Sequence, residues 1–204
     1  AALENVLAAK PIENISLTQP DITAEAAYDL QHQLIARLQT HGGWGDIYGY
    51  KAALTAQAAQ QAMGIDEPII GALFQHGAKS TNAQIAVHAD RPILLETELG
   101  FTLSQAITEP VDLGNVLDSV GDCRGMIELA APNLQQRPSS IDLISSNSAS
   151  YGCIAVEAGM SPAQLDLDTL DVSLTRLSDT KETLHSVPAG TVMQGQLNAL
   201  VWLI

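Results

Sequence analysis

The chain has 204 residues, 46% of them hydrophobic, which is enough for one good core and argues against disorder. Nine Lys and Arg against 23 Asp and Glu give a formal net charge of −14, which disfavours nucleic acid and anionic membrane surfaces as partners. The two cysteines, Cys123 and Cys153, make no disulfide framework and read as buried thiols in a reducing cytoplasm.

The sequence shows no charged-then-apolar leader and no apolar run near about 18 residues, so a cytoplasmic location is expected. It opens directly in ALENVLAAK and stops inside LNALVWLI, an apolar segment with no cap, Gly or Pro to end it. Residues are expected to be missing at one or both ends, the C-terminus above all. From Ala24 to Leu38, apolar residues fall at Ala26, Ala27, Leu30, Leu34, Ile35 and Leu38, with Glu25 in the first turn and Gly42-Gly43 beyond. That spacing predicts an amphipathic helix. IYGYKAAL then reads as a strand with Lys51 near its end, and Thr55 can cap a short Ala/Gln-rich helix that stops at Gly64, where glycine suits the left-handed position.

From Ile85 onward, short strand-like runs follow one another: PILLETELGFTL, GMIELA, IDLISSN, YGCIAVEAG, LDVSLTRL and TLHSVPAGTV, punctuated by Pro and Gly. No internal repeat or low-complexity linker divides them. Many short strands without long intervening helices fit a doubly wound parallel sheet poorly. The expected architecture is α+β: a single domain over 1–204 in which a mostly helical part, 1–64, packs on a β-rich body, 85–204.

Within RPILLETELGFTL two acids interrupt an apolar run. In a strand, residues two apart share a face, so Glu96 and Glu98 point to one side and Leu95, Thr97 and Leu99 to the other. A bare Glu-x-Glu is most often a solvated face. A third acid, Glu128 in GMIELAAP, sits in another short apolar strand. Three carboxylates on one face could hold a hard divalent ion, Mg²⁺ or Mn²⁺ rather than zinc, with positions left open for water and a chelating substrate.

These residues also carry a resemblance. GYKAALTAQAAQQAMGIDEPIIGALF, RPILLETELGFTL, GMIELAAP, DLISSNSASYGCIAVEAG and AGTVMQGQLNALVWLI, in this order over nearly the whole chain, are similar to successive motifs of the 2-keto-4-pentenoate hydratase and 4-oxalocrotonate decarboxylase family. That family belongs to the fumarylacetoacetate hydrolase superfamily. The resemblance implies a mixed β-roll or barrel-like body with N-terminal helices, and a helix over the final segment. It places Glu96, Glu98 and Glu128 as ligands of Mg²⁺ or Mn²⁺, Lys51 as the catalytic lysine, and Asn147, Ser148 and Leu99 as substrate-binding residues. Without that context, a lysine at a strand end is ordinarily a solvated surface charge. His76 and His88 match no motif of the family and are left out of the site.

The implied activity is that of a lyase in aromatic-compound catabolism, acting on a small 2-oxo or 2-hydroxydienoic acid. A hydratase is placed ahead of a decarboxylase, and a homo-oligomer is expected. Three positions depart from the family pattern. Ile69 stands where an acid commonly follows Glu-Pro, Ala53 where the motif has Gly, and Ala131 where an Asp often follows the third glutamate. Those losses, with the abrupt end at Ile204, also suit a second reading, a catalytically degraded homologue that acts as a binding or assembly subunit.

Overall fold

The computed structural model describes residues 2–7, 10–40, 43–87 and 92–204. His88, together with the Gly42 and Arg91 that flank the predicted helix and strand, lies outside the described residues. Among the described residues, the α-helices are α1 (Ala2–Leu7), α2 (Ile15–Thr18), α3 (Ala24–Thr40), α4 (Gln57–Met63), α5 (Ser140–Ser145) and α6 (Gln196–Leu203). The strands of the described residues are β1 (Ile47–Ala53), β2 (Ile69–Phe74), β3 (Ala78–Lys79), β4 (Leu94–Leu103), β5 (Val120–Ala130), β6 (Ser150–Ala155), β7 (Asp171–Leu177) and β8 (Lys181–Pro188). The strands form a β1–β2 pair, a four-stranded sheet of order β3-β6-β5-β4, and a β7–β8 pair. This is a mixed helix-and-sheet architecture, as the sequence implies at that level.

The chain divides into two compact units. The first comprises Ala1–Lys79, Ala83–Leu95 and Leu129–Cys153. Its longest helix, α3, follows from the apolar stripe: Ala27, Leu34, Ile35 and Leu38 are buried, and the Thr23 hydroxyl accepts from the Ala26 N–H to start the first turn. Leu34, Ile35 and Leu38 pack with Ala72 and Phe74 of β2. Full burial of each Leu or Ile side chain stabilises by about 1.5–3 kcal/mol. A second cluster joins Ala27, Ile69, Leu143 and Ile144.

Three local expectations change here. The short Ala/Gln-rich helix begins after Ala56, not at Thr55, and no side chain caps it, whereas Gly64 does end it in the left-handed conformation with φ 67°. IIGALF, read only as part of a motif, is the buried strand β2. IDLISSN, expected as a strand, is helical over its first five residues, which belong to α5. Ser139 and Asp142 close a capping box there, the Ser139 hydroxyl accepting from the Asp142 N–H and the Asp142 carboxylate from the Ser139 N–H. That reciprocal pairing outweighs the strand-like look of a short apolar run.

The second unit comprises Ser80–Asn82, Glu96–Glu128 and Ile154–Ile204. Val116, Cys123, Leu167, Ala189 and Leu200 are its most buried apolar residues. The β7–β8 hairpin pairs antiparallel from Asp171↔Pro188 to Leu177↔Lys181. The final helix, expected over much of AGTVMQGQLNALVWLI, starts only at Gln196, because Met193, Gln194 and Gly195 all have positive φ and cannot continue a right-handed helix. Among the described residues, no helix is long and apolar enough to cross a membrane. Cys123 and Cys153 are both buried, and burial pushes the Cys123 thiol up.

Candidate functional site

Strand alternation explains how the acids meet. Glu96 and Glu98 lie two residues apart on β4, so both project from one face, while Leu99 has the opposite parity. Glu128 lies on β5, the neighbour of β4 in the sheet. One carboxylate oxygen from each of Glu96, Glu98 and Glu128 lies within 4.8 Å of the others. Glu128 is only 5% exposed; Glu98 is exposed, and Glu96, half-buried over the whole residue, shares its open side.

The donor set fits a hard dication. It is all oxygen, and Mg²⁺ and Ca²⁺ bind such oxygens at about 2.0–2.6 Å, so a 4.8 Å spread is roughly the span of two such bonds. Three like charges drawn this close repel, and moving one into the interior adds a desolvation penalty that a bound cation offsets.

Lys51 belongs to the first unit. On β1 it stands opposite Gly71 of β2, in a register running from Ala53↔Ile69 to Ile47↔Phe74. It is 8% exposed, so the solvated-surface reading does not hold. Asn147 and Ser148 are 3% and 2% exposed and begin a run of three non-glycine residues in the left-handed region, with φ of 65°, 53° and 58° at Asn147, Ser148 and Ala149.

The run is held against the free edge of β2. In an antiparallel strand, successive residues turn their N–H and C=O groups to opposite edges, so Ile70 and Ala72 face away from β1. Side chains satisfy them in place of a strand. The Asn147 amide accepts from the Ala72 N–H at 2.8 Å and donates to the Ala72 carbonyl at 2.9 Å. The Ser148 hydroxyl donates to the Ile70 carbonyl at 2.6 Å, and Gln31 donates to the same oxygen at 2.8 Å. Ser150 adds a bond to the Ala72 carbonyl, and the Ile70 N–H donates to the Tyr28 hydroxyl. The polar atoms of Asn147 and Ser148 are thus engaged with backbone.

Helix α5 ends directly before this run and is anchored by Asp142, 1% exposed. Burial alone would raise its carboxyl, but N–H and hydroxyl donors from Ser16 and Ser139 overcome that and hold it below the ordinary range. Asn14 donates to it as well.

The departures from the motif acquire a physical setting. Ile69 is 3% exposed and belongs to the apolar cluster with Ala27, Leu143 and Ile144, where a carboxylate would have to be desolvated. Ala53 packs against the same cluster. Ala131 donates its N–H to the Ala149 carbonyl at 2.8 Å and lines a cavity of about 70 Å³ with Trp44, Asn147 and Ser150. His76 is exposed and stacks on Trp44, with ring centroids 5.5 Å apart.

No family model matches the chain. Among curated proteins, 2-oxo-hept-4-ene-1,7-dioate hydratase of Escherichia coli is 33% identical over 202 residues, covering 94% of this chain and 73% of the hydratase. The chain belongs to the 2-keto-4-pentenoate hydratase and 4-oxalocrotonate decarboxylase family. A 2-keto-4-pentenoate hydratase of Paraburkholderia xenovorans is 29% identical, covering 95% of this chain and 71% of that protein. Of solved structures, 4-oxalocrotonate decarboxylase from Pseudomonas putida G7, complexed with magnesium and adipate, superposes with a TM-score of 0.83 at 21% identity, covering 99% of this chain and 76% of that one. That likeness establishes the fold this family member shares.

Sequence reasoning did not single out Gly71, Tyr28, Gln31 or Ser150. A signal was present for two of them: Gln31 and Tyr28 lie on or beside the apolar stripe of α3, where a polar side chain needs a partner.

Proposed function

We propose that this protein is a metal-dependent lyase acting on a small 2-oxo or 2-hydroxydienoic acid, a hydratase of the 2-keto-4-pentenoate type. The observation that carries the reading is the convergence of the Glu96, Glu98 and Glu128 carboxylates. Hydration stands ahead of decarboxylation because the hydratases are the more similar relatives, at 33% and 29% identity, against 24% for a 4-oxalocrotonate decarboxylase of Pseudomonas.

In this reading Glu96, Glu98 and Glu128 hold Mg²⁺ or Mn²⁺. The chemistry such an ion supplies is electrostatic, offsetting the negative charge that develops on the C2 oxygen of a 2-oxo acid. Lys51 handles the proton at its Nζ while water adds at C4 of the substrate. Asn147, Ser148 and Leu99 complete the assignment as substrate-binding residues. With their polar atoms bonded to β2, Asn147 and Ser148 offer the substrate a fixed wall rather than free hydrogen-bonding groups. The same reading includes a roll of the fumarylacetoacetate hydrolase type, a single domain, a cytoplasmic homo-oligomer and a place in aromatic-compound breakdown. Decarboxylation of a 4-oxalocrotonate-type acid is the other reaction the same residues would serve.

Given Mg²⁺ or Mn²⁺ and a 2-hydroxydienoate, the protein is expected to consume the dienol absorbance. Glu98→Gln lowers metal affinity and turnover together. Lys51→Ala lowers turnover by about 10²- to 10⁴-fold, the usual contribution of a positioned acid or base, and leaves metal affinity in place. Tight metal binding with no turnover across a panel of such acids would leave a binding subunit instead. Unchanged metal affinity in Glu98→Gln would remove the ligand assignment.

A further inference from the structure

The glycine opposite Lys51 is not there for its backbone freedom. The glycines with positive φ among the described residues are Gly43, Gly45, Gly64 and Gly195, and Gly71 is not one of them. Its torsions, inside β2, suit any residue. What distinguishes Gly71 is space. A Cβ at this position would lie 3.0 Å from the Ser148 Cβ, 3.1 Å from the Asn147 carbonyl oxygen and 3.1 Å from the Lys51 Cε.

Directly opposed residues of an antiparallel pair project from the same face, so the Lys51 side chain crosses the position that a Gly71 side chain would fill. On the far side stands the left-handed run at 147–149. That wall cannot easily retreat, because Asn147 is tied twice to Ala72, the Ser148 hydroxyl is tied to Ile70, and the Ser148 N–H donates to the Leu143 carbonyl at 2.6 Å. Of the three neighbours, only the lysine ends in a flexible chain.

We infer that Gly71 is a positioning residue for Lys51: the notch left by its missing side chain, walled by Asn147 and Ser148, sets where the end of the lysine lies. This rests on the proton-handling role given to Lys51 above. It assigns Gly71 no contact with substrate and no part in metal binding.

Gly71→Ala tests it, with Gly49→Ala on β1 as the control, since a Cβ at Gly49 meets nothing within 4 Å. In protein carrying [¹³Cε]lysine, Gly71→Ala is expected to shift the Lys51 Cε resonance, and Gly49→Ala to leave it in place. With a 2-hydroxydienoate and Mg²⁺, kcat should fall about 10- to 100-fold in Gly71→Ala at near-wild-type KM and metal affinity, as displacing a reacting group by about 1 Å does. A general packing defect would not produce that division between kcat and KM. An unmoved Cε resonance, or an undiminished kcat, overturns the inference.

Two further measurements keep the outcomes separate. Should Lys51→Ala turn over at the wild-type rate, the lysine has no catalytic role, and the resonance shift alone still decides what Gly71 does to it. Should Gly71→Ala fail to fold, the wild-type protein must show a nuclear Overhauser contact between the Lys51 Hε and Gly71 Hα protons, and its absence overturns the inference equally.

Discussion

Asn147 answers both backbone groups of Ala72 with one side-chain amide while its own backbone is left-handed. Few residue types can do both, since Asn tolerates that region better than most and carries a donor beside an acceptor. Truncation to Ala would strand the buried Ala72 N–H, take one of two side-chain donors from the Ala72 carbonyl, which keeps its bond from Ser150, and leave a residue poorly suited to φ 65°. A stranded buried polar group costs about 1–3 kcal/mol, so Asn147→Ala is expected to destabilise by about 2–4 kcal/mol. For a chain of this size that lowers Tm by roughly 5–15 °C in a calorimetric scan. A Tm within a degree or two of wild type would mean that water takes over both bonds and that the amide does not hold the strand. The importance of Asn147 was legible only through its place in a familiar motif. No local pattern announces that an amide will meet a strand edge 75 residues earlier in the chain.

Among the elements, α5 is the most instructive. Its apolar run IDLIS looked strand-like, yet Ser139 and Asp142 are spaced as a capping box, so the sequence did contain the start of this helix. By contrast α3 was readable throughout, because seventeen residues give a 3.6-residue stripe room to declare itself and six do not. β2 was missed as a strand because a continuously buried run shows no alternation.

The same Asp142 makes α5 sensitive to acid. Its folded carboxyl lies below the ordinary value and its unfolded one near about 3.9, so the stability it lends is fully present above roughly pH 4. That stability is lost as pH falls through the lowered folded value. Wild-type urea midpoints should therefore drop as pH falls below about 4. Asp142→Asn should be weaker by about 1–3 kcal/mol at pH 7 and show a shallower slope through the acid window. Parallel slopes for the two proteins would mean that the acid sensitivity arises at other carboxylates.

At the scale of the whole molecule, the excess of acids has two consequences that respond differently to salt. A net charge of −14 makes the folded chain repel itself, and any electrolyte relieves that repulsion by screening. The meeting of Glu96, Glu98 and Glu128 is another matter, since it concentrates charge where one dication can sit and where distant screening has little reach. The sequence exposed this trio through strand alternation and apolar surroundings, although it could not disclose the distance between the strands.

Thermal unfolding separates the two effects. An ion that binds only the folded state stabilises by about 2.7 kcal/mol at one hundred times its Kd, which for this size raises Tm by roughly 5–10 °C. Mg²⁺ or Mn²⁺ should therefore raise Tm well beyond NaCl at matched ionic strength, and EDTA should reverse the gain. Glu98→Gln should lose the specific part and keep the general one. Equal shifts from NaCl and MgCl₂ in the wild-type protein, or a full magnesium response in Glu98→Gln, would mean that the three carboxylates gather without a cation to hold.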